Sequence, residues 1–122
     1  MAPDTPTRIH HVALRVADLE RSVAFYGGVL GLAEARRFEE GGRVRSIWMS
    51  VGGAVVMLER ELKGGGSEGS GHVLVFAVSD LALWEARLAA AGVAIADRTA
   101  ATLYVIDPDG HRVGLSVFPL GA

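Results

Sequence analysis

The same succession of an apolar strand, an aspartate and a helix occurs twice in this chain of 122 residues. Residues 11–19 and 73–81 align, and in both segments alternating apolar positions are followed by the dipeptide Asp-Leu. Asp18 and Asp80 suit helix N-caps, because a short carboxylate accepts hydrogen bonds from the free amides of the first turn. Apolar residues at helical spacing follow each aspartate. A repeat of this order predicts two copies of one structural unit.

Three β-type runs follow each predicted helix, and glycines mark the helix ends and the turns. Gly31 and Gly92 lie where the two helices are expected to stop. The dipeptide Gly52-Gly53 predicts a type I′ turn, in which both central residues have positive φ. Proline and glycine in the segment 107–110 predict a second tight turn. The runs cover residues 33–38, 44–51 and 54–60 in the first copy and 93–98, 101–106 and 112–118 in the second.

Each copy is therefore predicted to be a βαβββ unit, which leaves one face of its sheet uncovered by its own helix. We predict an α+β fold in which two tandem units form a curved eight-stranded mixed sheet around a cavity, with the helices outside. The units cover residues 8–61 and 72–118, and a flexible linker rich in glycine and serine joins them at about 63–71. The length suits a single domain, 1–122.

Charge and composition exclude several functional classes. The net charge of −2 gives no electrostatic reason to expect nucleic acid or an anionic membrane as a partner. The chain has no cysteine, which excludes disulfides and thiolate metal sites. No apolar run approaches the roughly 20 residues of a membrane span, and residues 1–11 do not resemble a signal peptide. We therefore expect a soluble, cytoplasmic protein.

Alternation along the predicted strands sorts the side chains into a helix side and a cavity side. In the first strand Val12, Leu14 and Val16 form the apolar helix side. Counting outward from the glycine turn, positions 47, 49, 51, 54, 56 and 58 are uniformly apolar and belong on the helix side as well. The remaining positions face the cavity: His11, Ala13, Arg15, Ser46, Trp48, Ser50, Met57 and Glu59 in the first unit, and Val73, Val75, Ala77, Tyr104, Gly114, Ser116 and Phe118 in the second.

Two motifs carry a resemblance to a known superfamily. Residues 11–32, HVALRVADLERSVAFYGGVLGL, resemble the opening of glyoxalase I, and residues 107–115, DPDGHRVGL, resemble its closing turn and strand. The chain thus resembles the glyoxalase/bleomycin-resistance/dioxygenase (vicinal oxygen chelate) superfamily over nearly its whole length. The resemblance implies the paired βαβββ fold and a homodimer. It does not fix one activity, because this superfamily includes lyases, isomerases, epimerases, ring-cleaving dioxygenases and metal-free drug-binding proteins.

The resemblance also implies four metal-ligand positions, of which this chain retains few. The first falls on His11, and the second falls on the strand that contains Met57 and Glu59. The third falls on Val73, with His72 one residue early, and a slip of one residue turns a side chain to the other face of a sheet. The fourth falls on Gly114, which carries no donor. The sequence therefore departs from standard glyoxalase I at the residues that perform its chemistry.

The strand alternation and the family resemblance together give the candidate site residues. His11 and Glu59 are the candidate catalytic residues, and together with His72 they are the candidate metal ligands. Arg15 is the candidate for binding an acidic group, since an arginine on the cavity side needs a partner, either Glu59 or an anionic substrate. Substrate contacts are also predicted for Trp48, Met57, Tyr104, Ser116 and Phe118, although such residues serve equally well as plain core. The charged segment 36–40 is interpreted as a solvated loop or strand edge.

Two functional hypotheses remain open. In the first, the protein binds a small aromatic or acidic organic molecule in its cavity and does not depend on a metal, either by sequestering it or by acid/base chemistry at His11 and Glu59. In the alternative, it is a divalent-metal-dependent lyase, isomerase or dioxygenase with Ni²⁺, Zn²⁺, Fe²⁺ or Mn²⁺ at His11, Glu59 and His72. Imidazole and carboxylate ligands suit any of these ions, so the sequence does not select among them.

Overall fold

The structure, a computed structural model, describes residues 4–63 and 71–119. The chain divides into two compact units, Met1–Lys63 (unit 1) and Gly64–Ala122 (unit 2). Nearly all of the predicted linker, residues 64–70, lies outside the described residues. Within the two described ranges, no helix is long and apolar enough to cross a membrane.

Unit 1 has the predicted order of one strand, one helical stretch and three strands. Its sheet has the strand order β1-β4-β3-β2, with β1 parallel to β4 and the other pairs antiparallel. The elements are β1 (His11–Arg15), α1 (Leu19–Val23), a π-helical segment (Ala24–Val29), β2 (Ala33–Glu40), β3 (Arg43–Val51) and β4 (Ala54–Glu59).

Unit 2 repeats this topology. Its strand order is β5-β8-β7-β6, again with one parallel pair, β5 with β8. The elements are β5 (Leu74–Ala77), α2 (Leu81–Ala90), β6 (Asp97–Arg98), β7 (Thr102–Ile106) and β8 (Arg112–Ser116). The repeat and the α+β class are therefore confirmed, with hydrogen bonds grouping the eight strands into two four-stranded sheets.

The two aspartates of the repeat cap their helices as predicted. The Oδ1 atom of Asp18 accepts from the amide of Arg21 at 3.1 Å, and that of Asp80 accepts from the amide of Leu83 at 3.2 Å. The first helix departs from the prediction after one turn, because Ala24–Val29 is π-helical and the Leu30 amide bonds to the Phe25 carbonyl at 2.9 Å. Such segments interrupt α-helices by widening one turn.

The apolar helix side of each sheet forms the core of its unit. A Cβ atom built on Gly27 of the π-helical segment would lie 3.2 Å from the Cε atom of Met49, so the segment packs directly on β3. The buried apolar side chains are Val16, Leu19, Phe25, Tyr26, Leu30, Ile47, Met49, Val56 and Leu58 in unit 1, and Phe76, Leu88, Leu103, Val105, Val113 and Leu115 in unit 2.

Three local predictions were wrong. Of the Gly52-Gly53 pair only Gly52 has positive φ, 53°, as in a type II′ turn and not a type I′ turn. The predicted strand 93–98 is only Asp97–Arg98 in the structure, and its first predicted residue belongs to the end of α2, where the Val93 amide bonds to the Leu88 carbonyl at 2.9 Å. The strand predicted to reach Phe118 ends at Ser116.

The turn between β7 and β8 is held by a buried carboxylate. Oδ1 of Asp107 accepts from the amides of Asp109 and His111, both at 2.8 Å. Gly110 has a φ of 89°, as the turn chemistry predicted.

Candidate functional site

The sheet face of unit 1 opposite α1 and the π-helical segment, here called the helix-distal face, carries the site residues that the sequence predicted for this unit. In the parallel pair β1–β4, His11 lies opposite Val55, and Arg15 lies opposite Glu59. In the antiparallel pair β3–β4, Trp48 lies opposite Met57, as the count from the glycine turn predicted. Partners across a ladder share a face. The face comprises His11, Ala13, Arg15, Arg36, Phe38, Ser46, Trp48, Ser50, Val55, Met57 and Glu59.

A short hydrogen-bond relay fixes Glu59 on this face. The indole Nε1 of Trp48 donates to Ser46 Oγ at 3.1 Å, and that hydroxyl donates to Oε1 of Glu59 at 3.0 Å. Ser46 is only 4% exposed, whereas Trp48 and Glu59 are half-buried. A single hydroxyl therefore orients both an aromatic ring and a carboxylate. The sequence placed Ser46 on this face but gave it no role.

His11 and Arg15 lie at opposite ends of β1. The two Nδ1 atoms of His10 and His11 are 2.9 Å apart, so one imidazole donates to the other. At the far end, Nη1 of Arg15 donates to the Leu62 carbonyl at 3.4 Å. The register sets Arg15 beside Glu59 and separates His11 from both.

Arg36, for which the sequence predicts a solvated loop or strand edge, lies over the aromatic residues of this face. The Cζ atom of Arg36 is 4.5 Å from the Phe38 ring centroid and 5.8 Å from that of Trp48. The two rings are 5.0 Å apart and tilted by 51°. A register irregularity after Glu34 sets Arg36 opposite Trp48. Of the two predicted alternatives, a loop or a strand edge, the segment is an edge strand. Arg36, however, stacks on two rings and is not surrounded by solvent.

The neighbouring Arg37 lies on the other side of the sheet, where it forms ion pairs with Glu20 of α1 at 2.7 Å and with Glu34 at 2.8 Å. Hydrogen bonding to these carboxylates raises the pKa of Arg37, and the Arg37 guanidinium lowers the pKa of Glu34. Alternation within the residues 36–38 was the signal that could have separated the two arginines.

In unit 2 the predicted residues Tyr104 and Ser116 share one sheet face. Arg112 lies over the Tyr104 ring, with Cζ 4.6 Å from the centroid, and Nη2 of Arg112 is 3.2 Å from Asp97. Ser116 accepts from the Thr102 hydroxyl at 2.8 Å. Arg112 was not among the predicted site residues, although the turn before it was recognised.

Three further positions of unit 2 bear on the predictions. A Cβ atom built on Gly114 would lie 3.0 Å from Val75 Cγ2 and 3.2 Å from Tyr104 Cε1, so neighbouring side chains already fill this position. Phe118 lies beyond the end of β8 and is 69% exposed, so strand alternation no longer determines its direction. His72 is exposed and precedes β5.

The donor set of unit 1 does not fit the divalent ion that the superfamily implies. Glu59 lies four residues beyond Val55, the partner of His11, which is about 13 Å along the strand at about 3.3 Å per residue. The side chain between them on the same face is Met57, and a thioether suits softer ions than Ni²⁺, Zn²⁺, Fe²⁺ or Mn²⁺. In the part of the chain that the structure describes, no three His, Asp or Glu side chains are grouped as metal ligands would be.

Comparison with known proteins relates the chain to one superfamily by sequence and to the same fold by structure. A sequence model of the Glyoxalase/Bleomycin resistance protein/Dioxygenase superfamily matches residues 8–115. Glutathione transferase FosA of Serratia marcescens is 30% identical over 119 residues, which covers 93% of this chain and 83% of that protein.

Two solved structures illustrate the shared fold. The fosfomycin resistance protein FosX of Mesorhizobium loti superposes with a TM-score of 0.78 at 21% identity, covering 95% of both chains. TnmS3, an antibiotic binding protein of Streptomyces sp. CB03234, superposes with a TM-score of 0.75 at 20% identity, covering 93% of this chain and 98% of that one.

Proposed function

The chain belongs to the glyoxalase/bleomycin resistance protein/dioxygenase superfamily, and from that membership we propose that it binds a small aromatic or acidic organic molecule without a metal ion. The binding surface is the helix-distal face of unit 1. The observation that carries the proposal is the composition of this face, which carries the rings of Phe38 and Trp48 together with the charged groups of Arg15 and Glu59.

Ligand sites commonly combine an apolar wall with a few placed polar groups. On this face Trp48 and Met57 supply flat or deformable apolar surface, as partners across β3 and β4. Arg15 supplies a permanent positive charge, and Glu59 supplies an acceptor whose orientation is set by Ser46. These groups suit a ligand that has a ring and at least one polar substituent.

The named roles of two relatives support small-molecule binding on this fold. TnmS3 is an antibiotic binding protein and FosX is a fosfomycin resistance protein. The geometry of His11, Met57 and Glu59 argues that binding in this chain does not need a chelated ion. An organic molecule that is held by stacking and ion pairing needs none.

The proposal is tested by screening the purified full chain against a panel of aromatic acids and their neutral amides by thermal unfolding. Each compound is tested once with EDTA and once with each of the four divalent ions. We expect at least one aromatic acid to raise the midpoint equally with EDTA and with metal. Stabilisation that occurs only with a metal, or by no compound of the panel, would contradict the proposal.

A divalent-metal-dependent enzyme of the same superfamily is the second candidate. FosA, at 30% identity, is named a glutathione transferase, which supports an enzymatic activity, and His11 keeps a donor at the first ligand position that the family resemblance implies. The discriminating variant is His11→Ala, which removes the one donor that the family motif retains. Metal that survives dialysis at one ion per chain and is lost in His11→Ala would favour the enzyme. Wild-type protein that retains no metal after dialysis would favour metal-free binding.

A further inference from the structure

We infer that Arg36, held on the rings of Phe38 and Trp48, recognises the carboxylate of the ligand, so that the ligand class is aromatic carboxylates. This inference rests on the proposed function and extends it to a residue outside both family motifs. It depends on three observations: the stacking of Arg36, the absence of a carboxylate partner for it among the described residues, and the polar groups beside it.

The stacking places the guanidinium in a defined position. Its Cζ atom lies 4.5 Å from the centroid of Phe38 and 5.8 Å from that of Trp48. A cation over two rings is held by their quadrupoles and loses less conformational freedom when it binds a ligand. Because Phe38 belongs to β2 and Trp48 to β3, the platform is part of the paired strands and not of a loop.

The hydrogen-bonding capacity of Arg36 is not used by an acidic side chain. Arg37, Arg45, Arg98 and Arg112 each form an ion pair, whereas no carboxylate in residues 4–63 and 71–119 lies within ion-pair distance of Arg36. A guanidinium carries five N–H donors, and its planar edge matches the two oxygens of a carboxylate. Arg36 therefore combines a fixed position with free donors, which is what an anion receptor requires.

The surroundings select the rest of the ligand. The tilted pair Phe38 and Trp48 offers ring surface next to the guanidinium, so a carboxylate attached to an aromatic ring can pair and stack at once. Ser46, which lies opposite Phe38, and Glu59, which lies opposite Ser46, add polar groups beside the rings. An aliphatic acid would pair with Arg36 but would not stack on the rings. A neutral aromatic compound would stack on the rings but would not form an ion pair with Arg36.

Unit 2 provides a matched control for the arginine itself. Arg87 is also stacked, with Cζ 4.5 Å from the Trp84 ring, but both residues belong to the helix α2. Substituting either arginine by glutamine removes one positive charge and its cation–π contacts, two at Arg36 and one at Arg87. Only Arg36→Gln removes a charge and a stacked side chain from the helix-distal face. Comparing the two variants therefore distinguishes an effect of Arg36 on ligand binding from a general effect of the protein's charge.

The experiment is calorimetric titration of the full chain, in EDTA, with benzoate and with benzamide as the neutral isostere. We expect Arg36→Gln to weaken benzoate binding by about tenfold or more, because a bidentate charge-assisted contact is lost, and to leave benzamide binding unchanged. Arg87→Gln should bind both compounds as the wild type does. In nuclear magnetic resonance spectra, benzoate should shift the Trp48 indole N–H signal and leave that of Trp84 in place, with Trp84→Phe assigning the two.

Several results would overturn the inference while leaving the proposed function standing. One is equal benzoate affinity in Arg36→Gln and the wild type, and another is a loss of benzoate affinity in Arg87→Gln as large as that in Arg36→Gln. A loss of benzoate affinity that occurs in Arg15→Gln alone, or a wild type that does not prefer benzoate to benzamide, would also overturn it. No binding of benzoate by the wild type overturns it as well. Failure of every compound in the wider panel would instead remove the proposed function.

Discussion

Ser46 shows how much of the candidate site depends on a single small side chain. Its hydroxyl is the acceptor for Trp48 and the donor for Glu59, and it is almost fully buried. Alternation placed it correctly on the face, but no sequence signal indicated that it would link an indole to a carboxylate. Such a relay depends on side-chain rotamers and burial, which periodicity does not encode.

The first prediction concerns this relay. Ser46→Ala leaves the indole N–H of Trp48 and one oxygen of Glu59 without their partner, so the free energy of unfolding should fall by about 1–2 kcal/mol. Ser50→Ala on the same strand and face is the control, because Ser50 is exposed, and its effect should stay within about 0.5 kcal/mol. Urea denaturation measures both. Equal losses in the two variants would show that the relay contributes nothing.

At the scale of single elements, the regular strands were predictable and the irregular segments were not. The pairing of β3 with β4 and the faces of β1 and β4 agree with the predictions, because alternation and a two-residue turn fix the register. Strand β2 carries register shifts after Glu34 and after Phe38, which a periodic pattern cannot reveal. The stacked position of Arg36 was missed for this reason.

The same limit applies to the first helix. The apolar spacing from Leu19 to Leu30 predicted one helix, whereas the structure has one α-helical turn followed by a π-helical segment. The glycines Gly27 and Gly28 lie in that segment, where helix propensity is low and β3 is close. Helix propensity and packing against β3 together determine the hydrogen-bonding pattern of this segment. The sequence shows the propensity but not the packing.

The second prediction tests the two ends of this helical stretch. Gly28→Ala should raise the free energy of unfolding by roughly 0.5–1 kcal/mol, because nothing lies within 4 Å of the added Cβ atom and alanine restricts the unfolded chain. Gly31→Ala should lower it by about 1 kcal/mol or more, since φ there is 83°. Thermal or urea unfolding of both variants measures the difference. A destabilising Gly28→Ala would mean that glycine is required inside the π-helical segment.

At the scale of the whole molecule, the internal repeat predicted both units and the succession of elements along the chain in each, but not the order of the strands in the sheets. Two stretches of matching pattern must adopt the same local structure if they obey the same rules of capping and alternation. These rules operate within one sheet, however, and contain no information on how two sheets are placed. The predicted cavity and homodimer therefore stay predictions.

The same fold supports many chemistries, so function has to be argued from side chains. In unit 1 the histidine that the family motif retains is separated by about 13 Å of strand from the nearest predicted carboxylate, at about 3.3 Å per residue. The aromatic and cationic groups, in contrast, are adjacent. The separation of the candidate metal ligands and the closeness of the aromatic and cationic groups both favour binding of an organic acid over binding of a metal ion.

The most direct test of metal-free binding on the helix-distal face is chemical-shift mapping of the isotopically labelled full chain in EDTA. The ligand is the aromatic acid from the panel that binds most tightly. We expect the largest shifts at the amides of Phe38, Ser46 and Met57 and at the indole of Trp48. Shifts confined to α2, or shifts that arise only after a divalent ion is added, would contradict the proposed site.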